Sequence, residues 1–141
     1  MSTSFTDLTA TINRGIMELR KAQPDAMAGF GSMAKAAMQA GELSEQTKEL
    51  IALAIGVAGH CDGCIGFHAK ALARLGASRA SVMETLAVAV YMGGGPSLMY
   101  AADAVQAFDE FSAARAGWAP AARRRRQRAS VRNRFSRQQP P

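Results

Sequence analysis

Cysteine and histidine are scarce in this chain, with two of each among 141 residues. So few thiols exclude a disulfide-stapled scaffold, and so few thiols and imidazoles together leave little for a structural zinc site. Long hydrophobic runs are also missing. The longest, Leu50 to Ala58 and Leu86 to Met92, fall well short of the ~20 residues that span a bilayer, so no membrane-spanning helix is expected. The first residues, Met1 to Asp7, lack the basic start and apolar stretch of a secretory signal, which predicts a reducing cytoplasmic setting. No stretch alternates apolar and polar residues for long enough to read as a strand.

Acid is absent from the strongly basic C-terminal stretch. Residues 123 to 137 hold eight arginines and no Asp or Glu, leaving nine Lys or Arg against eleven Asp or Glu elsewhere. The body is therefore slightly acidic, and the net charge of +6 belongs to the tail. The composition divides the chain into one all-α domain over 1–116 and an Arg-rich, disordered tail over 117–141. Two readings fit the tail. Its arginines can neutralise phosphates, as in nucleic-acid association, or they can form a solvated extension without a partner. The second is favoured, because Phe135 alone interrupts the charge to offer base stacking.

The body reads as six helices. Leu8, Ile12, Ile16 and Leu19 recur at helical spacing over 5–21, and the Gln23-Pro24-Asp25 step breaks that helix. A second helix, marked by Met27, Phe30, Met33, Ala34, Ala37 and Met38, ends near Gly41. Ser44 is an N-cap for a third, which is apolar on every side from Leu50 to Val57. The fourth starts around Cys61 to Cys64 and stops at Gly76, and Ser78 caps a fifth, apolar nearly all round. Gly93-Gly94-Gly95-Pro96 ends it, and the sixth carries Leu98, Ala101, Ala102, Val105, Phe108 and Phe111 to about Ala116. Two helices apolar all round present more surface than so small a bundle buries alone, unless they cross at its centre. Oligomerisation is the expected remedy.

The chemistry is concentrated in Gly59-His60-Cys61-Asp62-Gly63-Cys64-Ile65-Gly66-Phe67-His68, which contains every cysteine and histidine of the chain. At the start of a helix, free backbone N–H groups and the dipole favour thiolate over thiol. His68, four residues after Cys64, shares its helical face and can exchange the thiol proton, while Cys61 can resolve a sulfenic acid on Cys64 as a disulfide. Cys61, at the very start of the helix, is expected to be the more exposed thiol. Glu49 on the third helix approaches His68 if helices three and four form a hairpin, where it would orient the imidazole. Otherwise it is a solvated residue favoured by the helix dipole. Zinc is the rival reading, but one C-x-x-C pair and one well-placed histidine fall short of four ligands, so no metal or cofactor is expected. Inert buried thiols are the remaining alternative, and they do not account for two cysteines and a histidine in helical register.

Glu49, eleven residues, Cys61-x-x-Cys64, three residues and His68, followed by Leu75-Gly76-Ala77-Ser78 and Met92-Gly93-Gly94-Gly95-Pro96, resembles the motif of the AhpD-like alkylhydroperoxidases within the carboxymuconolactone decarboxylase family. The resemblance covers about Glu42 to Phe111. It implies an all-α AhpD-like bundle, homotrimers or homohexamers, and thiol-dependent reduction of organic hydroperoxides with a dithiol electron donor such as a dihydrolipoyl protein. It implies Cys64 as the peroxide-attacking thiol, Cys61 as its partner, and Glu49 with His68 as proton relay. The chain departs from the better-studied members at Gly63, where they have a histidine, leaving the relay to Glu49 and His68 or to a path through His60 or water. The decarboxylase branch is the enzyme alternative, but it does not use a C-x-x-C pair. A redox-sensing or nucleic-acid-associated protein is the non-enzymatic one.

Overall fold

The computed structural model describes residues 4–118. The first helix, α1 (Phe5–Ala22), starts where the Ser4 hydroxyl accepts the Asp7 N–H. It turns Phe5, Leu8, Thr9, Ile12 and Ile16 inward and leaves Leu19 exposed. Pro24 opens α2 (Pro24–Met38), where its missing N–H costs nothing and its fixed φ suits a first turn. This helix ends three residues before Gly41 and buries none of its residues.

Ser44 caps α3 (Glu45–Ala58) by accepting the Thr47 N–H at 3.0 Å. Cys61 caps α4 (Asp62–Leu75), and Gly76 closes it in the left-handed region at φ 77. The two helices run antiparallel. Arg74 meets Glu45 at 2.7 Å, His68 meets Glu49 at 2.7 Å, and Gly56 faces Cys64. Leu53 and Val57 on α3 and Ile65, Ala69 and Leu72 on α4 supply the middle of the core.

Five helical elements follow one another among the described residues, and the break expected at 93–96 lies inside the last of them. This element, α5 (Arg79–Trp118), consists of two helical arms joined at a kink where Gly94 is non-helical, at φ 76 and ψ −166. Only glycine adopts that conformation readily. The chain doubles back there. Arg79 Nε and Asp109 Oδ1 lie 2.9 Å apart, whereas a straight helix would separate residues this far along the chain by about 45 Å. Val82, Leu86 and Ala89 before the turn, and Ala101, Ala104, Ala107, Phe108 and Phe111 after it, close the core over α3 and α4.

The pattern that is apolar all round on α3 and α5 is buried on one side only. Ile51 and Ile55 on α3, and Val88, Tyr91, Met92, Leu98 and Met99 around the α5 turn, stay exposed, with Tyr91 at 84%. No described helix is long and apolar enough to cross a membrane. Helix α5 runs two residues into the region assigned to the basic tail, and the rest of that tail lies outside the described residues.

Candidate thiol site

The site forms where α3 hands over to α4. Cys61 and Cys64 are joined as a disulfide with a Cα separation of 5.3 Å. The Cys61 N–H donates to Gly56 O at 3.0 Å, its carbonyl accepts the Ile65 N–H at 3.0 Å, and its Sγ accepts the Cys64 N–H at 3.2 Å. A sulfur in the N-cap position takes one of the first-turn N–H groups that have no partner within the helix. In the reduced protein, the same N–H and the positive end of α4 favour negative charge on a sulfur here. The expectation that Cys61 is the more exposed thiol finds no clear difference, for both cysteines are half-buried.

Close packing of α3 on α4 depends on Gly56. A Cβ there would stand 3.1 Å from the Cys64 Cβ, so any larger residue pushes α4 away at the thiol. On the other side α1 covers Gly63, where an added Cβ would meet Ile12 Cδ1 at 3.0 Å. The position between the cysteines is thus occupied from outside by an isoleucine, and a histidine there would need Ile12 to move.

Glu49 and His68 are brought together. The Glu49 carboxylate, 10% exposed at its side chain, faces His68 Nδ1 at 2.7 Å, and the imidazole is 30% exposed. A carboxylate accepting from Nδ1–H holds the proton on that nitrogen and leaves Nε2 as the base. Cys64 precedes His68 by one helical turn on the same face of α4. Proton acceptor and thiol are therefore neighbours on one rigid element.

His60 is placed elsewhere. It adopts φ 54, stacks on Tyr100 with ring centroids 4.6 Å apart, and brings Nε2 to 3.2 Å from the hydroxyl of Ser97, which is 0% exposed. It points toward α5, so the route through His60 left open by the sequence has no hydrogen bond to Glu49 or His68. Instead this contact ties the turn preceding Cys61 to the start of the returning arm of α5. Sequence reasoning passed over Ser97 and Tyr100. Their only signal was position, directly after the helix-breaking glycines and proline. Among the described residues, no group of three or more His, Cys, Asp or Glu side chains is arranged to hold a metal ion.

Known proteins resemble this chain in sequence and fold. The chain is 42% identical over 113 residues to an uncharacterized protein of Cupriavidus necator, covering 80% of this chain and all of that one. An uncharacterized protein of the Paracoccus denitrificans cox locus is 34% identical over 85 residues, covering 60% of this chain and 77% of that one. The crystal structure of an apo carboxymuconolactone decarboxylase family protein from Legionella pneumophila superposes with a TM-score of 0.76 at 54% identity, covering 77% of this chain and 96% of that one. A Thermotoga maritima member of the same family superposes at 0.66 with 26% identity, covering 72% of this chain and 87% of its own. The family's sequence signature matches residues 24–107, from the start of α2 through the thiol site to the core of α5, and this chain belongs to the carboxymuconolactone decarboxylase family.

Proposed function

We propose that the protein is a thiol-dependent peroxidase that reduces organic hydroperoxides through the Cys61–Cys64 couple. One observation carries the reading: a cysteine pair at the N-terminus of α4 stands one turn from an imidazole oriented by a buried carboxylate. In the reduced protein, His68 Nε2 takes the Cys64 thiol proton. The thiolate attacks the terminal oxygen of the hydroperoxide, the O–O bond breaks, and the alkoxide leaves as alcohol with the proton that His68 returns. Cys64 is then a sulfenic acid. The Cys61 thiolate attacks its sulfur and expels hydroxide, which is protonated to water, and the disulfide forms. Two electrons from a dithiol donor of the dihydrolipoyl type restore the thiols, and a cytoplasmic setting supplies such a donor.

Support comes also from the Thermotoga maritima relative, which is named as a candidate for an antioxidative response. The family name suggests decarboxylation as the second reading, and the disulfide between Cys61 and Cys64 weighs against it because that reaction needs no redox couple. We place the working form in a homotrimer or homohexamer, built on the exposed apolar faces of α3 and α5. The deciding experiment is consumption of an organic hydroperoxide by the purified protein with a panel of dithiol donors. Turnover with at least one donor supports the proposal, and a reduced protein whose thiols survive excess hydroperoxide contradicts it.

A further inference from the structure

On a neighbouring face of α4, an open groove of about 690 Å³ runs between that helix and the end of α5. Phe67, Ala71 and Phe111 give it an apolar floor, and Lys70, Arg74 and Arg115 stand around it. No carboxylate lines it. The volume lies within the roughly 300–1,000 Å³ of small-molecule sites.

The three cations differ in what they already hold. Arg74 pairs with Glu45 at 2.7 Å, and Arg115 Nη1 donates to the Ala73 carbonyl at 2.8 Å, leaving each guanidinium with further N–H groups. Lys70 Nζ stands 5.8 Å from the Phe111 ring centroid and, among the described residues, has no carboxylate partner. A polyanion such as a nucleic acid would gain little from a hydrocarbon floor, and a neutral apolar molecule would gain nothing from the cations. The basic segment beyond Trp118 carries eight arginines, the same sign as the groove. Charge and surface together fit a ligand with one anionic end and a hydrocarbon body.

We propose that this groove binds a linear apolar carboxylate, its head on Lys70, Arg74 and Arg115 and its chain along Phe67 and Phe111. Phe67 lies one helical turn after Cys64 on α4, and Phe67 to Arg74 spans about 10 Å along the helix. The substrate class follows if the peroxidase reading holds: hydroperoxides of medium-chain carboxylic acids, anchored by their charge.

Calorimetric titration of the full-length protein with decanoate tests the groove without any chemistry. Saturable binding at one site per chain is expected, with decanol and acetate at least about tenfold weaker, because each lacks one of the two matched features. Lys70→Glu, an exposed position, is expected to weaken decanoate by about tenfold or more, the effect of losing a charge-assisted contact, with unchanged circular dichroism. Ala114→Glu, which puts an acid in the groove from an exposed position on α5, weakens it independently. Decanol binding as tightly as decanoate, no saturable binding, or indifference to both substitutions overturns the proposal. A kinetic comparison separates it from the peroxidase reading. Lys70→Glu raises KM for a fatty-acid hydroperoxide several-fold more than KM for its methyl ester, with a smaller effect on kcat for either. If neither hydroperoxide is consumed, the peroxidase reading fails and the decanoate titration decides the groove by itself.

Discussion

Glu49 and His68 lie nineteen residues apart in the chain, and their Oε2 and Nδ1 atoms are 2.7 Å apart across the α3–α4 hairpin. The carboxylate fixes which imidazole nitrogen carries the proton, and α4 puts the imidazole one turn from Cys64. Replacing His68 by Ala is expected to slow thiol oxidation by hydroperoxide about 10²-fold, as for loss of a positioned base. Glu49→Gln keeps the imidazole and is expected to cost less. In stopped-flow measurements the His68→Ala deficit shrinks as pH rises toward the ordinary thiol range, because solvent then makes the thiolate unaided.

The two thiols have different neighbours, and single substitutions separate them. Cys64→Ser is expected to abolish reaction with hydroperoxide. Cys61→Ser leaves one stoichiometric oxidation, trapped as sulfenic acid and detectable by mass spectrometry after a sulfenate-specific label, with no turnover. The contact from the Cys64 N–H to Cys61 Sγ supplies the opposite possibility. Wild-type reactivity in Cys64→Ser, with Cys61→Ser inert, would show that the N-cap position rather than His68 selects the attacking sulfur.

Gly94 carries the reversal of α5 at φ 76 and ψ −166, a region essentially closed to other residues. Nothing crowds the position, so the cost of Gly94→Ala is backbone strain alone. A loss of about 1–3 kcal/mol in urea unfolding is expected, with an unchanged m-value.

Besides the Ser4 cap, a side chain from α5 holds the start of α1. Glu110 accepts the Phe5 N–H at 3.0 Å, the Thr6 N–H at 2.9 Å and the Thr6 hydroxyl. The Thr6 hydroxyl first, and the Thr6 and Phe5 N–H groups after it, hold this carboxyl below its ordinary 4.5 against the opposing effect of burial. A carboxyl held low in the folded state contributes stability that is fully present above the unfolded value and lost as pH falls through the folded one. Resistance to thermal unfolding is therefore expected to weaken below about pH 4.5, and Glu110→Gln to flatten that acid dependence. Some slope remains in the variant, because the Arg79 guanidinium similarly holds Asp109 below the usual carboxylate range.

Ile55, Tyr91, Met92 and Met99 are large apolar side chains left exposed, the kind of surface that association covers. Light scattering at micromolar concentration is expected to give three or six times the 14.9 kDa chain mass. Tyr91→Glu, far from the thiols in sequence and 84% exposed, is expected to shift that mass downward. A wild-type mass near that of one chain contradicts the assembly.

Much of the fold was legible because its signals are local. Ser44, Gly76 and Pro24 mark helix ends through their own side chains or φ angles, and each stands at the boundary it indicates. The 93–96 stretch announced a break, and the non-helical Gly94 lies within it, but local chemistry did not say which way the chain would turn there. Residues of α2 read as one apolar face, yet Phe30 and Met33 are exposed, because periodicity identifies a face without naming what covers it.

At the candidate site, sequence alone determined which thiol shares a helical face with His68, since one turn of helix settles it, and that both cysteines stand at the start of α4. Only the tertiary structure decided the rest. The hairpin angle puts Glu49 on His68 Nδ1, the return of α5 carries Ser97 and Tyr100 to His60, and α1 seats Ile12 on Gly63. The residues in these contacts are drawn from separate segments of the chain. Their distances depend on how side chains of neighbouring helices interlock, and no spacing along one strand of sequence encodes that.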